Sequence, residues 1–180
     1  MIGHSKTWGL SSLTKLLIRP GFGAESLHLG QSKSGVLSTV GKPESITRKY
    51  RGQYFLNYPT QGLQVDLGRS TGSVRYLYFF RSGVRGNHAA TVATDRGIRP
   101  GDTQQKVLKR LGKPQEKGSG VAITERLRLG DWFHYADGMT LEFGDDKRVD
   151  MITIARPAKL TSRPSRRVAR KNTDRKPQER

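Results

Sequence analysis

The sequence predicts an α+β protein made of two tandem units, each a short helix packed on a three- or four-stranded antiparallel sheet. Three observations carry that expectation. A fifteen-residue pattern occurs twice, as Leu29-Gly-Gln-Ser-Lys-Ser-Gly-Val-Leu-Ser-Thr-Val-Gly-Lys-Pro43 and as Pro100-Gly-Asp-Thr-Gln-Gln-Lys-Val-Leu-Lys-Arg-Leu-Gly-Lys-Pro114, and internal repetition constrains architecture before any single residue does. Leu63, Val65 and Leu67 alternate with polar residues, and Met139, Leu141 and Phe143 repeat that alternation. A period of two belongs to a strand with one buried face. Finally, Ile152 and Ile154 fall where Leu77 and Phe79 fall in the first copy.

Residues 1–19 form an N-terminal segment. Leu13, Leu16 and Leu17 share one side of a short helix over 11–18, with Ser11 or Ser12 as its cap, before Pro20 and Gly21 break the chain. Residues 20–80 form the first unit. Ser32 caps its helix by accepting from first-turn N–H groups, and Val36, Leu37 and Val40 face the core. Gly41 and Pro43 end the helix. Strands are expected at Glu44–Tyr50, Tyr54–Tyr58, Leu63–Leu67 and Val74–Phe80, joined by turns at Gly62 and Gly68–Gly72.

Residues 81–95, small and polar, read as a linker. Residues 96–156 restate the plan: Thr103 caps, Val107, Leu108 and Leu111 face the core, and Gly112 and Pro114 stop the helix. Strands are expected at Val121–Leu129, Trp132–Tyr135, Met139–Phe143 and Val149–Ile154. Residues 157–180 carry +7 of the formal net charge of +18. Few apolar side chains there offset the entropy of ordering, so the tail is expected to be disordered.

The two copies of Gly–hydroxyl–helix–Gly-Lys-Pro, with Gly62-Leu-x-Val-x-Leu67 and Gly138-Met-x-Leu-x-Phe143 after them, resemble the BamE-like superfamily. That superfamily includes the SmpA/OmlA lipoprotein domain and the tandem-domain β-lactamase inhibitor protein. The resemblance covers about two-thirds of the chain. It implies a short helical element on a small antiparallel sheet, and protein binding rather than catalysis. The chain departs from those relatives in having no cysteine. It therefore has no lipobox and cannot form the inhibitor's disulfides, and no interface residue is carried over.

Catalytic signatures are absent from the sequence. His4, His28, His88 and His134 lack metal-ligand spacing. Asp145, Asp146 and Asp150 lack the calcium-loop pattern. Gly68-Arg-Ser-Thr71 has Leu63 where a phosphate loop needs its first glycine, and no Gly-x-Ser-x-Gly occurs. No catalytic residue, metal ligand or cofactor site is assigned, and the chain is read as non-enzymatic.

Aromatic side chains carry the binding expectation. Tyr76, Tyr78 and Phe80 lie on the side of their strand opposite Leu77 and Phe79, and Trp132, Phe133, His134 and Tyr135 add a second cluster. These seven are the protein-contact candidates, although packing of the Tyr76, Tyr78 and Phe80 face against the second unit or the N-terminal segment is an equally natural use of it. Arg163, Arg166, Arg167, Arg170, Lys171, Arg175 and Lys176 are the polyanion-binding candidates, for nucleic acid or an anionic membrane surface. The expected function is a protein-binding module, an envelope-associated adaptor. The alternative is a nucleic-acid-associated protein using the tail, and a third reading is a hydrolase or ligand-binding domain in a cleft between the units. No apolar run reaches the length of a membrane span. Lys15 and Arg19 interrupt the apolar stretch near Met1, so no signal peptide is read there; the sequence does not fix the compartment, and the chain reads as cytoplasmic unless its true start lies upstream.

Overall fold

In the computed structural model, residues 16–49, 53–119, 122–124, 127–128 and 130–157 are described. After β1 (Leu16–Ile18), the first half contributes α1 (Lys33–Val40), β2 (Ser45–Lys49), β3 (Gln53–Tyr58), β4 (Leu63–Leu67) and β5 (Val74–Phe80). After β6 (Val92–Thr94), the second half contributes α2 (Gln104–Leu111), β7 (Glu116–Gly118), a hairpin of β8 (Ala122–Thr124) and β9 (Leu127–Arg128), then β10 (Trp132–Tyr135), β11 (Met139–Phe143) and β12 (Val149–Ala155).

Eight of these strands form one antiparallel sheet in the order β2-β3-β4-β5-β12-β11-β10-β7. The expectation of two separate α+β units is thereby corrected: the fold is mostly β, and a single sheet runs through both halves. The cause lies in β5 and β12. Each ends a meander, each is seven residues long, and each would leave a row of unpaired N–H and C=O groups on an apolar edge. Pairing the two edges satisfies both. Tyr78 sits opposite Thr153, its counterpart in the second half, and on either side the pairing crosses over, with Leu77 opposite Ile154 and Phe79 opposite Ile152.

The helix signals act as the sequence implies. Ser32 Oγ accepts from the Gly35 N–H at 3.2 Å, and Thr103 Oγ1 accepts from the Lys106 N–H at 3.2 Å. Gly41 and Gly112, with φ of 95° and 75°, end the helices by donating to Leu37 O and Leu108 O. Each cap is also tied to the sheet. Val74 O accepts from Gly30 N while Val74 N donates to Gln31 O, and Val149 does the same with Gly101 and Asp102.

Val36 and Val107 are fully buried, whereas Leu37 is half-buried and Leu108 is 41% exposed. This corrects the assignment of Leu108 to the core. Successive helical residues are about 100° apart, and each two-turn helix presents only a narrow stripe. Val36 with Val40, and Val107 with Leu111, fill that stripe at i and i+4. They close on Leu56, Val65, Leu77, Leu141, Phe143, Ile152 and Ile154 of the sheet, together with Ile18, Leu27 and Ile98 from the flanking segments.

Residues 16–18 are a strand rather than part of a helix: β1 pairs in parallel with β6, which lies inside the segment read as a linker. Residues 11–15 of the expected helix lie outside the described residues. The span Val121–Leu129, expected as one strand, instead holds the separate two-stranded β8–β9 sheet, and β7, before it in the chain, forms the edge of the large sheet. Among the described residues, no helix is long and apolar enough to cross a membrane.

Candidate functional site

Both helices pack on the same side of the sheet, because Val36 and Val107 belong to one core with the inward strand residues. The other face carries no described α-helix. Strand register arranges its side chains in rows running across the strands. The central row is Ser45, Asn57, Gln64, Tyr78, Thr153, Thr140, His134 and Glu116, one residue from each of the eight strands. Phe80, Met151, Glu142 and Trp132 flank it on one side, and Thr47, Phe55, Asp66 and Tyr76 on the other.

The central row is bonded in two stretches, on either side of Tyr78 and Thr153. Asn57 Nδ2 donates to Ser45 Oγ and to Thr47 Oγ1, each at 3.0 Å, and Gln64 Nε2 donates to Asn57 Oδ1 at 2.7 Å. His134 Nδ1 lies 2.9 Å from Thr140 Oγ1. These bonds hold the amides in fixed orientations. They leave a surface of hydroxyl, amide and aromatic groups with little freedom to lose on contact.

Two aromatic stations stand on this face. At the centre, the Tyr76 and Tyr78 rings stack with centroids 6.1 Å apart, and Phe55 approaches Tyr78 at 6.4 Å. A register shift on β5 explains the neighbouring charge. Asp66 pairs with Tyr76 while Leu67 pairs with Val74, so Arg75 is the extra residue, and such a bulge re-aims a side chain. The Arg75 guanidinium lies 5.3 Å from the Tyr76 ring centroid and 3.0 Å from Asp66 Oδ2. Burial raises the Tyr78 phenol above its ordinary range. The second station is Trp132 on β10. Its indole lies across Gly118, where a Cβ would fall 2.5 Å from the ring; only glycine permits that contact.

The corresponding shift on β12 makes Asp150 the extra residue. Arg81 reaches Asp150 Oδ1 at 2.7 Å and Asp146 Oδ2 at 2.5 Å. Arg85 lies 3.7 Å from Glu142 Oε2 and 5.9 Å from the Phe80 ring centroid. The 3-10 turn Val84–Gly86 therefore folds over the Phe80 end of the face. Burial raises the Glu142 carboxyl above its ordinary value, and Arg85 partly opposes the effect.

The sequence-derived aromatic candidates divide between the two sides. Tyr76, Tyr78, Trp132 and His134 lie half-buried on the helix-free face. Phe80 shares that face but is only 1% exposed. Phe133 and Tyr135 point into the core. Phe133 packs edge-on against Phe143 at 4.8 Å, and the Tyr135 hydroxyl donates to Gly112 O at 3.2 Å. Tyr58 repeats that bond to Gly41 O at 3.0 Å in the first half. Asn57, Gln64, Thr140 and Thr153 were not singled out from sequence, although their place at the outward positions of alternating strands is the signal for them. Arg163, Arg166, Arg167, Arg170, Lys171, Arg175 and Lys176 lie outside the described residues.

No family model matches the chain, and no curated protein matches it. Among solved structures, a DUF4309 family protein (YjgB) from Bacillus subtilis matches over 76% of this chain and 88% of its own, with a TM-score of 0.51 and 18% identity. The likeness is one of fold. An extracellular protein containing a SCP domain from Bacillus anthracis covers 71% of this chain and 44% of its own, with a TM-score of 0.42 and 9% identity.

Proposed function

We propose that the chain is a protein-binding module whose contact surface is the helix-free face of the sheet. The observation that carries this reading is the stacked, half-buried Tyr76–Tyr78 pair at the centre of that face, surrounded by amides and hydroxyls held by mutual hydrogen bonds. Tyrosine supplies contact area with a polar tip and few rotatable bonds, and aromatic side chains dominate the energetic centres of protein interfaces. The resemblance of the two Gly–hydroxyl–helix–Gly-Lys-Pro segments to BamE-like proteins supports the same reading and makes the cell envelope its natural setting.

The test is quantitative. A partner captured by cross-linking to the full-length chain is purified, and its affinity is compared for the unaltered protein and for Tyr76→Ser/Tyr78→Ser. The double variant should bind at least tenfold more weakly, a change of about 1.4 kcal/mol, while keeping the far-UV spectrum of the parent. Equal affinities would refute the assignment of this face. Removal of residues 157–180 should leave partner affinity unchanged.

A second reading rests on the tail, which holds nine lysines and arginines against Asp174 and Glu179. On that reading the tail binds nucleic acid without sequence preference, and the log–log salt slope should be about −0.9 per neutralised phosphate of duplex DNA. Equal DNA affinity of the full-length and tail-deleted chains would remove it.

A further inference from the structure

The last residue pair of the β5–β12 seam is Tyr76 with Ala155, and the next residue on each side is an arginine, Arg75 on β5 and Arg156 after β12. Both arginines line an open groove at this end of the seam, together with Thr71, Ser73 and Tyr76. No acidic residue lines it. Arg75, the extra residue of the β5 bulge, donates from Nη2 to Asp66 Oδ2. Its side chain is still 40% exposed, and a guanidinium carries five N–H donors, so most of them stay available. Arg156 is exposed, and its guanidinium makes no ion pair or hydrogen bond among the described residues. Its Nη2 stands beside Gly30, where a Cβ would approach to 2.8 Å, and Gly30 N is bonded to Val74 O at the groove.

The acceptors nearby are already engaged. Gly72 O accepts from Lys33 N, Ser73 O from Gly68 N and Val74 O from Gly30 N. Thr71 Oγ1 accepts from Ser73 N at 3.3 Å and from Ser73 Oγ at 2.7 Å. Its own O–H is left as a donor with no acceptor among the described residues.

We propose that this groove receives the side-chain carboxylate of an aspartate or glutamate presented by the protein partner. The inference rests on the helix-free face being the contact surface, because Tyr76 belongs both to that face and to the groove. Three observations lead to a carboxylate. The available groups are all donors, two guanidinium forks and a hydroxyl, and a carboxylate accepts from such forks through both oxygens. The two arginines are set against one carboxylate, Asp66, so one positive charge is left for a monoanion to balance. Finally, like charges at facing places on paired strands repel, and an anion held by both offsets that repulsion. The openness of the groove points to a carboxylate carried by a partner. Water competes for every bond at so exposed a site, and a free small acid is held weakly there. A carboxylate tethered to a protein already seated on Tyr76 and Tyr78 binds as an intramolecular event.

N-acetylglutamate methylamide and its glutamine counterpart, alike in shape and different in charge, are the probes. Each is titrated into the full chain at low salt and followed by backbone and arginine N–H chemical shifts. The glutamate probe should saturate and move Thr71, Arg75 and Arg156 first. The glutamine probe should bind about tenfold more weakly, for want of the charge-assisted bonds. Arg156→Gln, at an exposed position, should weaken the glutamate probe by about the same factor without lowering the unfolding temperature. Arg156→Lys keeps the charge but loses the fork, and should recover only part of the affinity. Failure of the glutamate probe to saturate, shifts centred elsewhere, or equal binding of the two probes would overturn the groove. Tighter binding of inorganic phosphate than of the glutamate probe would overturn the choice of a carboxylate. For the captured partner, Arg156→Glu should lower affinity about tenfold. An unchanged affinity, with Tyr76→Ser/Tyr78→Ser still weakening the complex, would keep the contact face and overturn the part given to the groove. The reverse pattern would refute the face and leave the groove standing.

Discussion

The adjacent Val107 and Leu108 provide the sharpest test of how the helices sit on the sheet. Val107 is fully buried in the shared core and Leu108 is 41% exposed. Val107→Ala removes two buried methyl groups, worth about 0.8 kcal/mol each, and leaves a small void. The expected loss is roughly 2–3 kcal/mol. Leu108→Ala removes a larger side chain, but one that already meets water, and alanine favours the helix slightly more than leucine does. Its expected loss is below about 1 kcal/mol. In urea, with an m-value of about 2 kcal/mol/M, the first variant should lower the unfolding midpoint by roughly 1 M and the second by less than half of that. Equal midpoints, or a larger fall for Leu108→Ala, would refute the packing described here and restore the assignment of both residues to the core.

Tyr58→Phe and Tyr135→Phe each delete a hydroxyl that satisfies a helix-terminal carbonyl, at Gly41 and Gly112. Each should cost about 0.5–1.5 kcal/mol in chemical denaturation; a variant without measurable cost would mean that water replaces the bond. Burial pushes the Tyr58 phenol up to about 12 from 10.0. The folded state therefore favours the protonated form, and its advantage is complete below pH 10 and lost as pH rises towards 12. Tyr58→Phe should flatten the alkaline decline in stability, and an unchanged slope would contradict that. Glu142 is likewise raised by burial above its ordinary 4.5. Its favourable contribution is present below the unfolded value and lost as pH rises through the folded one. Glu142→Gln should therefore unfold at a higher temperature than the parent at pH 7, with the difference closing near pH 4. Lower stability of the variant at pH 7 would show that the Arg85 contact outweighs desolvation.

Local signals were legible in the sequence, and long-range ones were not. Ser32, Thr103, Gly41 and Gly112 act within one helical turn, and short-range chemistry alone places them. The Val-Leu pairs misled because two adjacent residues cannot both face a core across a two-turn helix. Trp132-Phe-His-Tyr135 was grouped as one aromatic surface, yet a strand necessarily sends Trp132 and His134 to one side and Phe133 and Tyr135 to the other. The joined sheet was harder to read. The two apolar faces of β5 announced that it needed cover, but they did not say that its backbone edge would meet β12. The partner of that edge is set by competition among several apolar strands, and local pattern carries no term for it. The polar row through Gln64 and Thr140 was hidden for a related reason: isolated amides and hydroxyls acquire meaning only when register aligns them.

The β5–β12 seam bears on how the molecule is made. Ribosomal synthesis releases β5 well before β12, with roughly 70 residues between Phe80 and Val149. At about 5–20 residues per second, that interval is on the order of ten seconds. During it the nascent first half presents a seven-residue strand whose outer edge has no permanent partner and whose side chains are apolar over much of both faces. Such an edge recruits other strands. The chain must therefore keep β5 shielded, by chaperone or transient pairing, until its own C-terminal strand arrives. Completion of the sheet is in this sense an event of late translation, and the first half matures only when the second has been delivered.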